Sequence, residues 1–416
     1  MSATITWARG FSRFPSVMFR RLFVPIKRKV PPGAEIVTAY TNGQVTLRSN
    51  RSKIGYHEAA DLSGFQGVEP GDFVVHGLDI MRGSVGVSDS TGAISAVCTV
   101  CRPSNQVDGR FIAYAMRAQA LSGFPKAMAR GVREGGADFR RWDTLGDLPV
   151  PCPPLSEQRR IADFLDIELA RVERLAKVQQ EIQLKLNERD LAILDSKIEE
   201  LSCAFGTTPF RRFIASVEQG SSPQCDNVPA QNHEWGVLKV SSVKRGAFHP
   251  LENKKLPGEV PPVVRYEIRE NDLLVTRANT PALVGAAAVV GPVRRKLMLC
   301  DKIFRIRTGG GLDKNYLAMV ARGTKIRDLC AAASHGTSQS MANLKVEEIK
   351  EWPVPAAPVE AQLLMVAELS AHHGRTAALR RAIERQLDLL VERRQALITA
   401  AVTGHIDVTT RRGADV

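Results

Sequence analysis

The chain has no GxxxxGK[ST] phosphate loop, no GxGxxG after a strand, no GxSxG elbow and no HExxH pair. These absences remove the usual sequence signs of a nucleotide-driven motor, a dinucleotide enzyme, a serine hydrolase and a zinc protease. Two acidic-x-Lys strings occur, Glu252-Asn253-Lys254 and Glu348-Ile349-Lys350, but neither follows an acid pair placed to hold magnesium, so they read as surface charge. No run approaches the roughly 20 apolar residues of a membrane helix, and a cytoplasmic location with no membrane contact is expected. Seven scattered cysteines, an odd number, read as reduced thiols and not as a disulfide framework. Cys98-Thr99-Val100-Cys101 lies in an alternating, strand-like run, and Cys152 falls too far on to complete a zinc ribbon. Acidic residues are also missing from the first 33 positions, which carry Arg9, Arg13, Arg20, Arg21, Lys27, Arg28 and Lys29. That stretch lacks a small-residue cleavage pattern and reads as a basic arm for phosphate in preference to a transit peptide.

What the chain does have is repetition. Leu148-Pro149-Val150-Pro151, then Pro154 and Gln158, lead into a periodic segment closing on Glu188-Arg189 and Ala192. Trp352-Pro353-Val354-Pro355, Pro358, Gln362, Glu392-Arg393 and Ala396 repeat this at one offset of 204 residues. That period is far longer than a solenoid unit. It implies duplication of a whole domain together with the helix behind it. Asp72 in Val68–Val75 and Asp272 in Ile268–Val275 extend the match into the preceding globules, which read as mixed α+β with many turns.

Between Leu155 and Phe205 there is neither glycine nor proline, and Ser156 offers an N-cap. Leu165, Val172, Leu186 and Ile193 share one heptad position, with Leu175 and Ile182 on its complement. In the second segment Leu369, Ile383, Leu390 and Leu397 share a position, with Leu379 beside them. Such seams want a partner helix, so the two segments are expected to pair. At about 45 residues each they would reach roughly 65 Å. Gly374 costs about 1 kcal/mol against alanine and is expected to kink the second helix. His372 and His373, about 100° apart on a helix, read as surface or seam residues and not as a metal pair.

A formal charge of +13 and a pI near 9.6 point to a polyanionic partner. Pro151-Cys152-Pro153-Pro154-Leu155-Ser156-Glu157-Gln158, the run Glu392 to Ile398, and the closing Thr403-Gly404-His405-Ile406-Asp407-Val408 resemble the conserved helical regions of the specificity subunit of type I restriction-modification systems. Asn42 to Arg48 and Gly336 to Gln339 resemble stretches of that family's target-recognition domains. The resemblance covers the whole chain. In the second repeat Pro358-Val359-Glu360-Ala361-Gln362 departs from the fuller Leu-Ser-Glu-Gln of the first.

The resemblance implies an α+β fold: two mixed α/β target-recognition domains separated by two long helices forming an antiparallel coiled coil. The expected divisions are a first recognition domain at 1–150, a first helical region at 151–205, a second recognition domain at 206–354, a second helical region at 355–408, and a tail at 409–416. It further implies a non-catalytic subunit that reads a bipartite site on double-stranded DNA and docks two methyltransferase subunits and the restriction or motor subunits. S-adenosylmethionine, ATP and magnesium would sit on those partners, with no cofactor or metal in this chain. The leading alternative is a coiled-coil scaffold with two protein-binding globules, for which the charge is incidental.

Base reading calls for Arg or Lys on guanine and Asn or Gln on adenine. Candidates in polar, glycine-containing loops are Asn42, Gln44, Arg48, Arg51, Lys53 and Arg82, then Lys244, Arg245, Arg277, Asn279 and Gln339; Lys126, Arg130 and Arg133 read as phosphate contacts. Leu165, Val172, Leu186, Ile193, Leu369, Ile383, Leu390 and Leu397 are the candidates for the helix seam or partner docking.

Overall fold

The protein is described from a computed structural model covering residues 12–51, 62–124, 132–133, 136–244, 246–333, 335–338 and 341–408. Its contacts gather into two compact units, Met1–Gln179 with Glu384–Val416, and Gln180–Ile383. Both dividing lines fall inside the long helices, whereas the sequence reading placed domain limits at the helix ends. The halves of each helix pack on different globules.

In the first unit the strands are β1 (Ser16–Met18), β2 (Phe23–Pro25), β3 (Val37–Ala39), β4 (Val45–Leu47), β5 (Gln66–Val68), β6 (Phe73–His76), β7 (Val85–Val87), β8 (Gly92–Ile94) and β9 (Cys98–Pro103). Helix α1 (Gly109–Leu121) follows, then β10 (Val132–Arg133), β11 (Gly136–Ala137), the short α2 (Trp142–Leu145) and β12 (Pro149–Pro151). An antiparallel sheet runs in the order β2-β9-β6-β7. Side chains alternate across it: Phe73 and Val75 enter a core with Phe19, Phe23 and Phe111, while Val74 faces a second cluster with Val37 and Val45. The same alternation sends Cys101 to the first core and Cys98 to the second. One metal therefore cannot join these two thiols, and burial pushes each up to about 12, far from thiolate at neutral pH.

The second unit has β13 (Thr207–Pro209), β14 (Ile214–Gln219), β15 (Gly236–Leu238), β16 (Val243–Lys244), β17 (Ala247–Phe248), β18 (Asn253–Lys255), β19 (Leu273–Thr276), β20 (Ala278–Asn279), β21 (Ala287–Val289), β22 (Leu297–Met298) and β23 (Ile303–Thr308). Its sheet order, β14-β23-β19-β21, reproduces that of the first unit. Leu273 and Val275 again face one core, with Phe210, Tyr316 and Trp352, and Leu274 the other. Asp72 and Asp272 each accept a backbone N–H from three residues back, Glu69 and Arg269, at 2.9 Å. That shared turn is why an aspartate recurs there.

The long helices are α3 (Leu155–Phe205) and, after β12's counterpart at Pro353–Pro355, the helix Val359–Val402. The shorter helices α4 (Lys314–Val320), α5 (Thr324–Ala333) and α6 (Val346–Lys350) lie between them, making Val359–Val402 α7. Asp108 caps α1, accepting from the amides of Arg110 and Phe111, and Asp313 caps α4 by accepting from Tyr316. Each cap loop is clamped by a fully buried glutamine. Gln158 Oε1 accepts from Asp108 N at 2.9 Å while its Nε2 donates to Pro153 O at 2.8 Å. Gln362 accepts from Asp313 N at 2.8 Å and donates to Ala357 O and Gly311 O, both at 2.9 Å.

In each unit a half of α3 lies beside a half of α7. In the second unit Lys197 pairs with Glu368 at 3.1 Å, and Asp190 meets His372 at 2.9 Å and Arg380 at 2.7 Å, an antiparallel progression. In the first unit Leu165 and Leu169 share a core with Leu397, Ile398 and Ala401. The end of α7 closes this unit: Arg13 N donates to Thr403 O at 2.9 Å, and a Cβ on Gly404 would lie 2.9 Å from the Phe14 ring. In the second unit the covalent step from Phe205 through Gly206 to β13 takes the same place, so the closing Thr-Gly-His-Ile-Asp-Val run is a fastening of chain ends.

The heptad expectation needs correction at three positions. Leu165, Val172, Leu369, Ile383 and Leu397 are buried and Leu186, Ile193 and Leu390 are half-buried, but Leu175, Ile182 and Leu379 are exposed. An antiparallel pair buries one stripe per helix, and these residues lie outside it. Gly374 does not interrupt α7, which runs as one helix from Val359 to Val402. Among the described residues no helix is long and apolar enough to cross a membrane.

Candidate nucleic-acid interface

β3 and β4 form a hairpin whose turn is Tyr40 to Gln44: Tyr40 N donates to Gln44 O at 2.8 Å and Gly43 N to Tyr40 O at 3.0 Å. Gly43 adopts φ +92°, a conformation that favours glycine, which explains the Asn42-Gly43 pair in the sequence. Asn42 Oδ1 accepts from Gln44 N at 3.2 Å, so its side chain stiffens the turn while Gln44 stays exposed.

Beside this hairpin a cleft of about 420 Å³ brings together Asn42, Arg48, Arg51 and Arg82, with His76 and Asp79. Arg48 Nε donates to Thr38 Oγ1 at 3.0 Å. The Arg51 guanidinium lies 4.3 Å from the centre of the Tyr40 ring, a cation–π contact that orients it. Arg82 is largely exposed, its Nη1 3.9 Å from Asp79. Burial lowers the His76 pKa despite the opposing pull of Asp79, and His76 Nδ1 accepts from Asp79 N at 3.0 Å, which assigns the proton to Nε2. His76 was not singled out in the sequence. A lone histidine at the end of an apolar strand carries no signal of its own.

The described candidates of the second unit lie on separate segments, Lys244 on one and Arg277 and Asn279 on another. Lys244 is exposed where the β16–β17 hairpin begins to turn, and Gly246 there has φ +91°. Arg277 is half-buried, fixed through its backbone to Lys302 O and Leu344 N at 2.8 Å each. Asn279 lies on β20, opposite Ala342, and its Oδ1 accepts from Thr280 N at 2.8 Å. A basic cleft of about 560 Å³ is lined by Lys239, Lys254 and Lys302 with Ser222, Gln224 and Ser241, none of which the sequence reading selected. Lys302 Nζ is held at 3.0 and 3.2 Å by Asp301. These lysines are far apart in sequence, so only the fold assembles them. Lys53, Lys126, Arg130, Arg245 and Gln339 lie outside the described residues, and of Arg133 only the strand position opposite Gly136 is described.

The architecture is that of a duplicated α+β chain whose two units each carry a glycine-turned hairpin and halves of two long helices. In sequence it resembles the specificity subunits of type I restriction enzymes. It is 30% identical over 177 residues to the EcoEI specificity subunit of Escherichia coli, covering 42% of this chain and 30% of that subunit's length. It is 21% identical over 391 residues to the EcoKI specificity subunit of Escherichia coli strain K12, covering 88% of this chain and 83% of the other. Its fold is similar, at a TM-score of 0.64 and 15% identity, to a chain from a structural study of complex assembly and conformational transition in a type I R-M system, covering 94% and 98% of the two chains. No family model matches the chain.

Proposed function

We propose that this chain is the non-catalytic specificity subunit of a type I restriction-modification complex and reads a bipartite site on double-stranded DNA, one half with each unit. The observation that carries this reading is the duplicated unit, with one sheet order, one glutamine clamp and one hairpin glycine in each copy. Two similar but non-identical readers suit a target of two different halves. The net charge of +13 supplies a phosphate attraction that ignores sequence. Discrimination falls to donors and acceptors at groove edges: Gln44 and Asn42 at the hairpin, Arg51 and Arg82 beside it, and the His76 Nε2–H as a donor to a base acceptor.

Two methyltransferase subunits dock, in this reading, on the helices, where exposed Ile167, Leu175, Val178, Leu364, Leu389 and Val391 offer apolar contacts. The restriction subunits join the same complex. Methyl transfer from S-adenosylmethionine and ATP- and magnesium-dependent cutting belong to those partners. Co-expression with the methyltransferase, followed by sequencing of modified adenines in the host DNA, tests the proposal. A motif of two short specific halves around a fixed non-specific spacer is expected; an uninterrupted motif, or no modification by an assembled complex, overturns it.

A further inference from the structure

Two arginines occupy repeated positions. Arg117 lies late in α1 and Arg322 just after α4, at the offset of 205 residues that also separates the caps Asp108 and Asp313. Each packs beneath its unit's hairpin glycine: a Cβ on Gly43 would lie 2.5 Å from Arg117 Nη1, and one on Gly246 would lie 2.9 Å from Arg322 Cδ. Their surroundings differ. Arg322 Nη2 lies 3.0 Å from His373 Nε2, and His373 Nδ1 lies 2.7 Å from Leu369 O, so Nδ1 carries the proton and Nε2 accepts from the arginine.

Arg117 has no such acceptor. It is 7% exposed, makes no hydrogen bond or ion pair with any described residue, and its Nε is buried without a partner. The Nε of Arg394, on α7, is likewise buried and unpartnered. Both line a half-open cavity of about 310 Å³ beside the Asn42-Gly43-Gln44 turn. Of the acidic groups lining this cavity, Asp166 is engaged elsewhere, accepting from Arg110 Nη1 and Tyr114 OH, each at 2.6 Å, while Glu173 lies 3.9 Å from Arg394 Nη2 and leaves the Nε donors of both arginines unmet. Burial, with the neighbouring Arg394 charge, pulls Arg117 down to about 10, which still leaves it a cation at neutral pH. Two adjacent guanidinium groups with buried, unused donors are unfavourable unless an anion lies between them, and an oxyanion of phosphate type meets both with charge-assisted bonds.

We propose that the Arg117–Arg394 cavity is a phosphate-oxyanion site, filled by a backbone phosphodiester of the duplex that the Asn42–Gln44 turn reads. It rests on the DNA-reading function proposed above. Arg394 Nη2 also lies 3.4 Å from Asn42 O, so a phosphate held here sets the height of the reading turn against α7. The second unit meets its arginine internally through His373, so the two units differ at this position by one phosphate contact.

The test uses the full chain assembled with its methyltransferase partner, as wild type, Arg117→Met, Arg117→Lys and Arg394→Met. For wild type and Arg117→Lys, the plot of log binding constant against log salt keeps one slope; Arg117→Met and Arg394→Met lower it by about 0.9, the value of one phosphate contact. A scan of single methylphosphonates along the duplex finds one position that weakens wild type markedly more than it weakens Arg117→Met or Arg394→Met. A merely structural arginine moves neither readout. Because Arg117→Met removes an unpaired buried charge, its melting temperature stays level or rises; should it not fold, Arg394→Met carries both readouts alone. Wild-type DNA binding with an unchanged slope in folded variants overturns the site and leaves the DNA-reading function standing. Inorganic phosphate that stabilises wild type but not Arg117→Met, with no DNA binding by either, assigns the cavity to free phosphate and overturns both the phosphodiester assignment and the DNA-reading function.

Discussion

Replacing Gln158 with alanine is expected to destabilise the first unit by about 3 kcal/mol. The side chain is fully buried and its two shortest hydrogen bonds satisfy the Asp108 amide at 2.9 Å and the Pro153 carbonyl at 2.8 Å, with a longer one to Gln106 O at 3.3 Å. Alanine leaves both without a partner, at about 1–3 kcal/mol for each unmet group. For a unit of this size about 1 kcal/mol moves the melting temperature by about 2–4 °C, so the shift should be about 6–12 °C. Gln362→Ala makes the matching change in the second unit, where the Asp313 amide and the Ala357 and Gly311 carbonyls lose their partner. Calorimetry on the full chain reads both. A shift below about 1 °C in a folded Gln158→Ala protein would refute the clamp.

Burial alone would push the Asp190 carboxyl up, but hydrogen bonds from Arg380 and His372 outweigh it and hold the group below its ordinary value. Its contribution to stability is therefore complete above the unfolded value of about 3.9 and is lost as pH falls through the folded one; acid titration of stability should show this component in wild type and not in Asp190→Asn. On the same helix, Leu165→Ala should cost about 2–5 kcal/mol and Leu175→Ala under about 0.5 in denaturant melts, because the first is buried and the second exposed. Equal costs would contradict the stripe described for α3.

The two long helices and the duplicated globules were legible because a repeat is a statement about the whole chain and a 50-residue stretch without glycine or proline excludes most alternatives. Heptad phase placed Leu165 and Leu369 in the interior but could not say how wide the buried stripe is, so Leu175, Ile182 and Leu379 were misplaced. Gln158 and Gln362 were visible as matched letters without a role, since the cap amides they hold, Asp108 and Asp313, lie about 50 residues away in sequence. Asn42, Arg48, Arg51 and Arg82 were found through loop composition, and the hairpin and its neighbouring turns do bring them to one cleft. Composition gives no sign of the cleft in the second unit, where Lys239, Lys254 and Lys302 are brought together by the fold, nor of Arg117, which sits in an apolar helix beneath Gly43.

The central claim is that each unit reads one half of a divided DNA site. Its most direct test exchanges residues 16–151 for the corresponding globule of a related subunit with a different target, keeping α3 and α7, and sequences the modified DNA motif. The account predicts that one half of the motif changes while the other half and the spacer length stay as they were. A motif altered in both halves, or in neither, by an assembled and active complex would contradict it.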